Sequence, residues 1–316
     1  MDGKLKGHAA LWVANIIWGL NAPIGKSVLW SETHPQGVSP FALSVYRMLG
    51  ACLLFWTVSL FLPREKVAPR DIVLLLFASV FGIQLNQMLF LWGLSLTSPI
   101  DASIMSTLGP AVTLIMDHIM HPRKYIRSRV VGVFCALAGA AVLLFDHGFV
   151  LTHGSRAYGN ALVLVAVVAI AINTVIIKPQ LERLGTLVVM GWYYIVGLAV
   201  TAPFFWKYID HTQFLRLPLQ AQAELAYILI LGTVLPMYLL YRGTEKLTSV
   251  HTALYRYIQP VIAGILALVR GQAVFDAANI VALAFIFAGV VLVVIGYKYY
   301  VRHGLPPVGH DGRLRT

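Results

Sequence analysis

A few residue types in this chain could do chemistry, and most of them lie inside long apolar runs. Asp117, His118 and His121 stand one, three and four positions apart in "MDHIMHPRK", which places their side chains on neighbouring helical faces. A carboxylate beside an imidazole suits a proton relay, and Asp117 and His118 are the candidates for it. Such a trio at a membrane edge is more often interfacial, so no metal site is expected. The chain has no HExxH, no GxSxG and no carboxylate pair at a convincing depth. Nothing therefore supplies an acid/base couple or a nucleophile, and neither an enzyme nor a cofactor is expected.

The basic residues within apolar runs carry more information, because a charge in a bilayer costs several kcal/mol unless paired, hydrated or drawn to the surface. Arg47 could clamp backbone carbonyls at a helix end or contact a solute. Arg256, between Tyr255 and Tyr257, could mark the solute path or reach the inner surface, being only one to two turns from that end. For Lys26 and Lys178, reaching the surface is the better explanation. Asp101 is expected to cap a helix, and no glutamate is expected in a span interior. Uncharged polar residues fill out the candidate cavity: Trp18, Asn21, Gln84, Gln87, Asn173, Tyr193, Tyr238, Tyr255 and Gln259. As single residues, interhelical hydrogen bonds worth about 1 kcal/mol explain them. As a set they describe an aromatic, amide-rich cavity for a small polar solute.

These residues need a membrane to be buried in. Of 316 residues, 59% are hydrophobic and 12% charged, with mean hydropathy +0.77. A soluble domain has about 25% charged residues. Ten apolar stretches of spanning length follow one another, near residues 8–25, 40–62, 72–95, 101–120, 130–145, 158–178, 186–206, 222–241, 249–269 and 277–297. Their continuity argues for helices over barrel strands. Cys52 and Cys135 lie within them as small core residues. The N-terminal span shows no convincing cleavage site and is expected to be retained.

Of the 24 Lys and Arg, 17 fall on the side of the termini, four on the other side, and Lys26, Arg47 and Arg256 within spans. Cytoplasmic loops accumulate such residues. Both termini are thus expected in the cytoplasm, in a multi-pass protein of the cell membrane. The same bias places much of the +11 net charge on the inner rim, which disfavours nucleic acid as a partner.

The chain also repeats itself. Residues 96–110 read "LTSPIDASIMSTLGP" and residues 247–260 read "LTSVHTALYRYIQP". At an offset of 150, Gly82 meets Gly232, Leu85 meets Leu235, Leu89 meets Leu239, Gly93 meets Gly243, Pro110 meets Pro260 and Gly139 meets Gly289. At an offset of 152, Asn21 meets Asn173 and Lys26 meets Lys178. Residues 82, 85, 89 and 93 fall on one helical face, which predicts a shared packing surface. Five spans per half is an odd number, so the second half enters the membrane from the opposite side. The expectation is an all-α integral membrane protein of ten transmembrane helices arranged as two inverted five-helix repeats, residues 1–150 and 151–300, with a flexible cytoplasmic tail at 301–316. Inverted repeats suit alternating access around a site at the midplane. Pro110 and Pro260 are candidate hinges. Gly132, Ala136 and Gly139 could form a homodimer face or pack within the bundle.

"NIIWGLNAPIGK", "SPFALSVYRMLGA", "LWGLSLTSPIDASIMSTLGP" and "GVFCALAGAAVLL" in the first half, and "RYIQPVIAGILALVRGQAVF" in the second, resemble the drug/metabolite transporter superfamily, in its ten-helix EamA type. The resemblance spans about residues 8–297. It implies a 5+5 bundle with cytoplasmic termini that exports or exchanges small metabolites, often amino acids. Members often carry glutamates where this chain has His121 and Gln272. The expected function is a secondary transporter of small polar metabolites such as amino acids. Drug efflux, a non-transporting receptor or scaffold, and an intramembrane enzyme are the alternatives. Efflux of cationic drugs usually wants an acid in the cavity.

Overall fold

The structure, a computed structural model, describes residues 3–30, 37–59, 67–120, 127–146, 155–209, 216–244 and 255–302. Helices dominate, and no strand ladder forms among the described residues. They are α1 (Gly3–Val28), α2 (Pro40–Ser59), α3 (Pro69–Ser79), a wide π turn (Val80–Leu85), α4 (Asn86–Leu96), α5 (Pro99–Ser106), α6 (Gly109–Met120) and α7 (Arg127–Phe145). The second half holds α8 (Arg156–Leu184), α9 (Thr186–Phe205), α10 (Leu219–Ile230), α11 (Val234–Thr244), α12 (Ile258–Val269) and α13 (Ala277–Arg302).

These form ten spans, three of them from paired helices: α3 with α4, α5 with α6, and α10 with α11. Pro40–Val58, Pro69–Leu96, Arg156–Ile177, Thr186–Tyr208 and Leu219–Leu240 are each long and apolar enough to cross a bilayer unaided. Large apolar side chains such as Phe134 (68% exposed) and Val269 (79%) point outward, as lipid-facing groups do. The chain is an all-α membrane protein built as two inverted five-span repeats.

The repeats interlock. The main helix pairings all join one half to the other: α7 with α13, α4 with α8, α2 with α9, and α1 with α11 and α12. Glycines permit the closest of them. A Cβ on Gly93 would lie 2.6 Å from the Gly159 carbonyl oxygen, against Val163. At the equivalent place a Cβ on Gly243 would strike Leu11, beside Gly7. Gly7 and Gly159 are themselves 152 apart. Such reciprocal contacts define a two-fold relation. The α7–α13 crossing lies on that axis: a Cβ on Gly132 would be 2.5 Å from the Gly289 carbonyl oxygen, and one on Gly139 2.6 Å from that of Ala282. Gly132 and Gly139 thus pack within the bundle, and Ala136 lies against Gly289, so these residues offer no face to a second copy.

The expectation that residues 82, 85, 89 and 93 share one packing face needs correction. Gly82 and Gly93 are buried, but Leu85 is 40% exposed and its repeat partner Leu235 36%. The π turn at Val80–Leu85 adds a residue to one turn and rotates the face in between.

One end of the bundle is closed by polar side chains that the sequence reading placed differently. Ser98, not Asp101, caps α5, its hydroxyl accepting from the Asp101 N–H. The buried Asp101 carboxylate accepts from both Nε (2.7 Å) and an Nη (3.0 Å) of Arg156, from Nδ2 of Asn279 (2.8 Å) and Asn160 (3.3 Å), and from the Thr97 hydroxyl (3.2 Å). It therefore ties the first repeat to α8 and α13 of the second. Lys26 does not reach for the surface. Its ammonium donates to the carbonyls of Leu94, Ser95 and Thr97, capping α4 at its C-terminus. A glutamate does lie within a span: Glu224, buried in α10, pairs with Arg270 at 2.9 Å and accepts from Ser27 at 2.6 Å. The side chain of Lys178 lies outside the described residues.

Two outcomes check this account by thermal unfolding of the purified protein. Gly132→Val forces a side chain onto backbone at the α7–α13 crossing, and we expect a loss of roughly 1–3 kcal/mol, as overpacking costs. Asp101→Ala leaves Arg156, Asn160 and Asn279 without their common acceptor. We expect a loss near the lower end of the roughly 3–5 kcal/mol seen for broken buried pairs, because Arg156 is partly exposed and can rehydrate. Unchanged unfolding temperatures would contradict both.

Candidate functional site

Among the described residues four spans are broken, in two repeat-related pairs. In the third span the π turn at Val80–Leu85 interrupts the helix around Gly82. In the eighth, α10 ends at Ile230 and the chain turns around Gly232, whose N–H reaches back five residues to the Tyr227 carbonyl (2.8 Å). In the fourth span the chain tightens at Thr107 and Leu108, which donate to the carbonyls of Ile104 and Met105. In the ninth it tightens at Arg256 and Tyr257, with Gln259 donating to the Arg256 carbonyl. Pro110 and Pro260 follow these tight breaks. A proline has no N–H to donate and its ring crowds the carbonyl four residues back, here Ser106 and Arg256. The two prolines therefore sit at real interruptions. Broken helices at matching positions of two inverted repeats are the usual pointer to a solute site.

Each wide turn receives an asparagine from the first span of the other repeat. Asn21 lies across Gly232 and donates to its carbonyl at 2.7 Å. Asn173 lies across Gly82, and the Tyr193 hydroxyl covers the same glycine. Either glycine would clash with its asparagine if it carried a Cβ.

A polar band runs between the two turns. Thr233, next to Gly232, accepts from Arg47 Nε at 3.1 Å and donates to the Ile228 carbonyl. Arg47 thus holds a side-chain hydroxyl and lies within electrostatic reach of Tyr194. Tyr194 is buried, stacks on Phe55 (5.6 Å between centroids, 14° between planes) and meets Tyr193 edge-on at 5.4 Å. Tyr193 then leads to Gly82 and Asn173. One turn further along α9, the Gly197 carbonyl accepts from Gln84 Nε2 at 2.9 Å. Gln87 follows Gln84 on the third span with its Oε1 buried.

Asn21, Arg47, Gln84, Asn173 and Tyr193 therefore belong to one band. The other candidates lie elsewhere. Tyr255 bonds His8 Nδ1 at 2.7 Å and meets Trp12 edge-on, Gln259 donates to Asn15 at 2.8 Å, and all of these join α1 to the ninth span. Trp18 is half-buried next to Gly19, where α1 crosses α12. Arg256 extends over Gly109, so that a Cβ there would be 2.9 Å from its guanidinium; the tight breaks of the two repeats thus meet at this side chain. Tyr238 is half-buried on α11. The side chains of Asp117 and His118, and all of His121, lie outside the described residues. No group of three metal-ligating side chains forms among the described residues. Gln272 donates to the Pro23 carbonyl at 3.0 Å, a bond that an ionised glutamate there could not make.

Thr233, Asn15 and the partners of Asp101 escaped the sequence reading. Thr233 carried a signal, since it directly follows a repeat-matched glycine. A shallow groove on α9, lined by Ile195, Leu198, Ala199, Ala202, Pro203 and Trp206, is apolar and offers a polar solute nothing to bind.

Comparison with known proteins agrees with this architecture. The model of the EamA-like transporter family matches twice, over residues 5–145 and 157–295. The chain is 23% identical over 282 residues to the uncharacterized transporter YetK of Bacillus subtilis (strain 168), covering 88% of this chain and 85% of that one. It is 26% identical over 173 residues to the protein WALLS ARE THIN 1 of Arabidopsis thaliana, covering 51% of this chain and 42% of that one. A solved crystal structure aligns over 93% of this chain and 96% of its own with a TM-score of 0.62 at 18% identity, a likeness of fold. With both repeats matched across nearly the whole length, the chain belongs to the EamA-like transporter family.

Proposed function

We propose that this chain is a secondary transporter that moves a small polar metabolite, an amino acid or a close relative, across the cell membrane by alternating access. The observation that carries the reading is the polar band between the wide turns at Gly82 and Gly232, built from side chains of both repeats. In this reading Asn21, Arg47, Gln84, Gln87, Asn173 and Tyr193 meet the solute. Trp18, Tyr238, Tyr255, Arg256 and Gln259 line its route. The halves 1–150 and 151–300 rock about the breaks at Pro110 and Pro260, and both termini lie in the cytoplasm, as the Lys and Arg bias suggests. A proton relay through Asp117 or His118 rests on the sequence alone.

An organic cation would want an acid beside the band. The buried acids Asp71, Asp101 and Glu224 are each paired with an arginine. This favours a zwitterionic or anionic metabolite over a cationic drug.

The test is exchange in proteoliposomes loaded with pools of unlabelled amino acids, following entry of the matching labelled pool with and without a pH gradient. We expect saturable exchange. Arg47→Ala should raise KM roughly 10- to 100-fold, the equivalent of one charge-assisted hydrogen bond of about 1.5–3 kcal/mol, with Arg47→Lys intermediate. An unchanged KM would return Arg47 to a structural role on Thr233, and no exchange of any pool by folded protein would remove the substrate class. The hinges give a separate readout. Pro110→Ala combined with Pro260→Ala should lower the turnover rate with KM and folded yield preserved; loss of folded protein alone would count against them.

A further inference from the structure

Among the described residues, six buried side-chain polar atoms have no hydrogen-bond partner, and five of them are amide oxygens: Asn21 Oδ1, Gln84 Oε1, Gln87 Oε1, Asn173 Oδ1 and Gln272 Oε1, the sixth being Ser44 Oγ. None is a nitrogen. The orientation of three of these amides is fixed, because their NH₂ groups donate to backbone carbonyls: Asn21 to Gly232, Gln84 to Gly197 and Gln272 to Pro23. Turning any of them over would set oxygen against oxygen. Asn173 and Gln84 are more than nine-tenths buried, at 6% and 8% exposure. Asn21, Gln84 and Asn173 belong to the polar band, and Gln87 follows Gln84 on the same span. What the band lacks is therefore donors, and a buried acceptor left without one is costly.

This sorts solute chemistries. A carboxylate or phosphate would bring more acceptors to the amides. A primary ammonium brings three N–H donors on one centre. A solute with only that charge would meet Arg47 across the band, whereas a zwitterion can turn its carboxylate to the guanidinium. The anchoring fits that arrangement. Asn21 is held by Gly232 and Arg47 by the adjacent Thr233, and successive Cα atoms lie about 3.8 Å apart. Asn21 and Arg47 are thus anchored at the same turn, where the guanidinium can meet a carboxylate.

We propose that the amide oxygens of Gln84, Gln87 and Asn173 bind the ammonium group of a zwitterionic solute, so that a free amino group is what admits a substrate. The proposal rests on the transporter reading above and adds to it which end of the solute is selected.

Competition in the proteoliposome assay tests it. Each exchanged amino acid is set against its N-acetyl derivative and the 2-hydroxy acid with the same side chain. We expect the free amino acid to compete at least about tenfold better than either. Gln84→Met and Gln87→Met keep side-chain size and remove the acceptors. Each should narrow that ratio in folded, exchange-competent protein, which a merely structural residue would not do. Equal competition by the acylated or hydroxy compounds overturns the proposal and leaves the transporter standing. So does exchange that requires sodium ions and ignores N-acetylation, since the amide oxygens would then hold the metal ion. If no pool exchanges, thermal unfolding of the purified protein decides. Stabilisation by free amino acids and not by their N-acetyl forms supports the ammonium site even though transport has failed. No difference between them overturns it.

Discussion

In hydrocarbon a backbone N–H or C=O can turn only to protein, and that constraint governs how these helices are interrupted. An unbroken helix satisfies its own backbone. Each broken one needs help at the break. Here the help comes from side chains of another span: Asn21 takes the Gly232 carbonyl, and Lys26 takes three carbonyls at the end of α4. An amide or ammonium can reach a carbonyl only if the opposing backbone lets it approach. That explains the glycines at 82 and 232, where a Cβ would occupy the place of the asparagine. The break, the glycine and the asparagine are one device, and the fold contains it twice.

What could be read from the sequence follows from that duplication. Glycines, prolines and asparagines recurring at 150 or 152 residues are visible without any contact being known, so the spans, the inverted repeat and the breaks at Pro110 and Pro260 were legible, whereas the wide turns at Gly82 and Gly232 were not. Most members of the polar band were legible too, because amides inside an apolar run are conspicuous. The ion pairs were not. Asp101 finds Arg156 and Asn279 from 55 and 178 residues away, and Ser27 finds Glu224 from 197, with no period to betray either. Lys26 looked like a surface-seeking residue because its acceptors are backbone atoms, which leave no mark in a sequence. The misjudged face of Leu85 has a different cause. Period 3.6 fails at the π turn.

The duplication is selective. Gly82, Gly93 and Asn173 each have a counterpart of the same type whose contacts are reproduced across the two-fold axis, and Pro110 has its counterpart in Pro260. Lys26 has its counterpart in Lys178, but the two arginines within spans are present once. At offsets of 150 to 152, Arg47 corresponds to Gly197, Leu198 or Ala199, and Arg256 corresponds to Ser106 at 150. A scaffold whose two halves make equivalent contacts can exchange their roles at little cost, which is what alternation between two faces of a membrane requires. A solute has no such symmetry. It has one headgroup, and a site that read it with duplicated charges would offer it two competing poses. In the proposed reading, the single Arg47, set among amides drawn from both repeats, would give a symmetric frame one direction. That division of labour, with packing residues paired and Arg47 and Arg256 single, is the arrangement expected when the frame serves the motion and the charge serves the cargo.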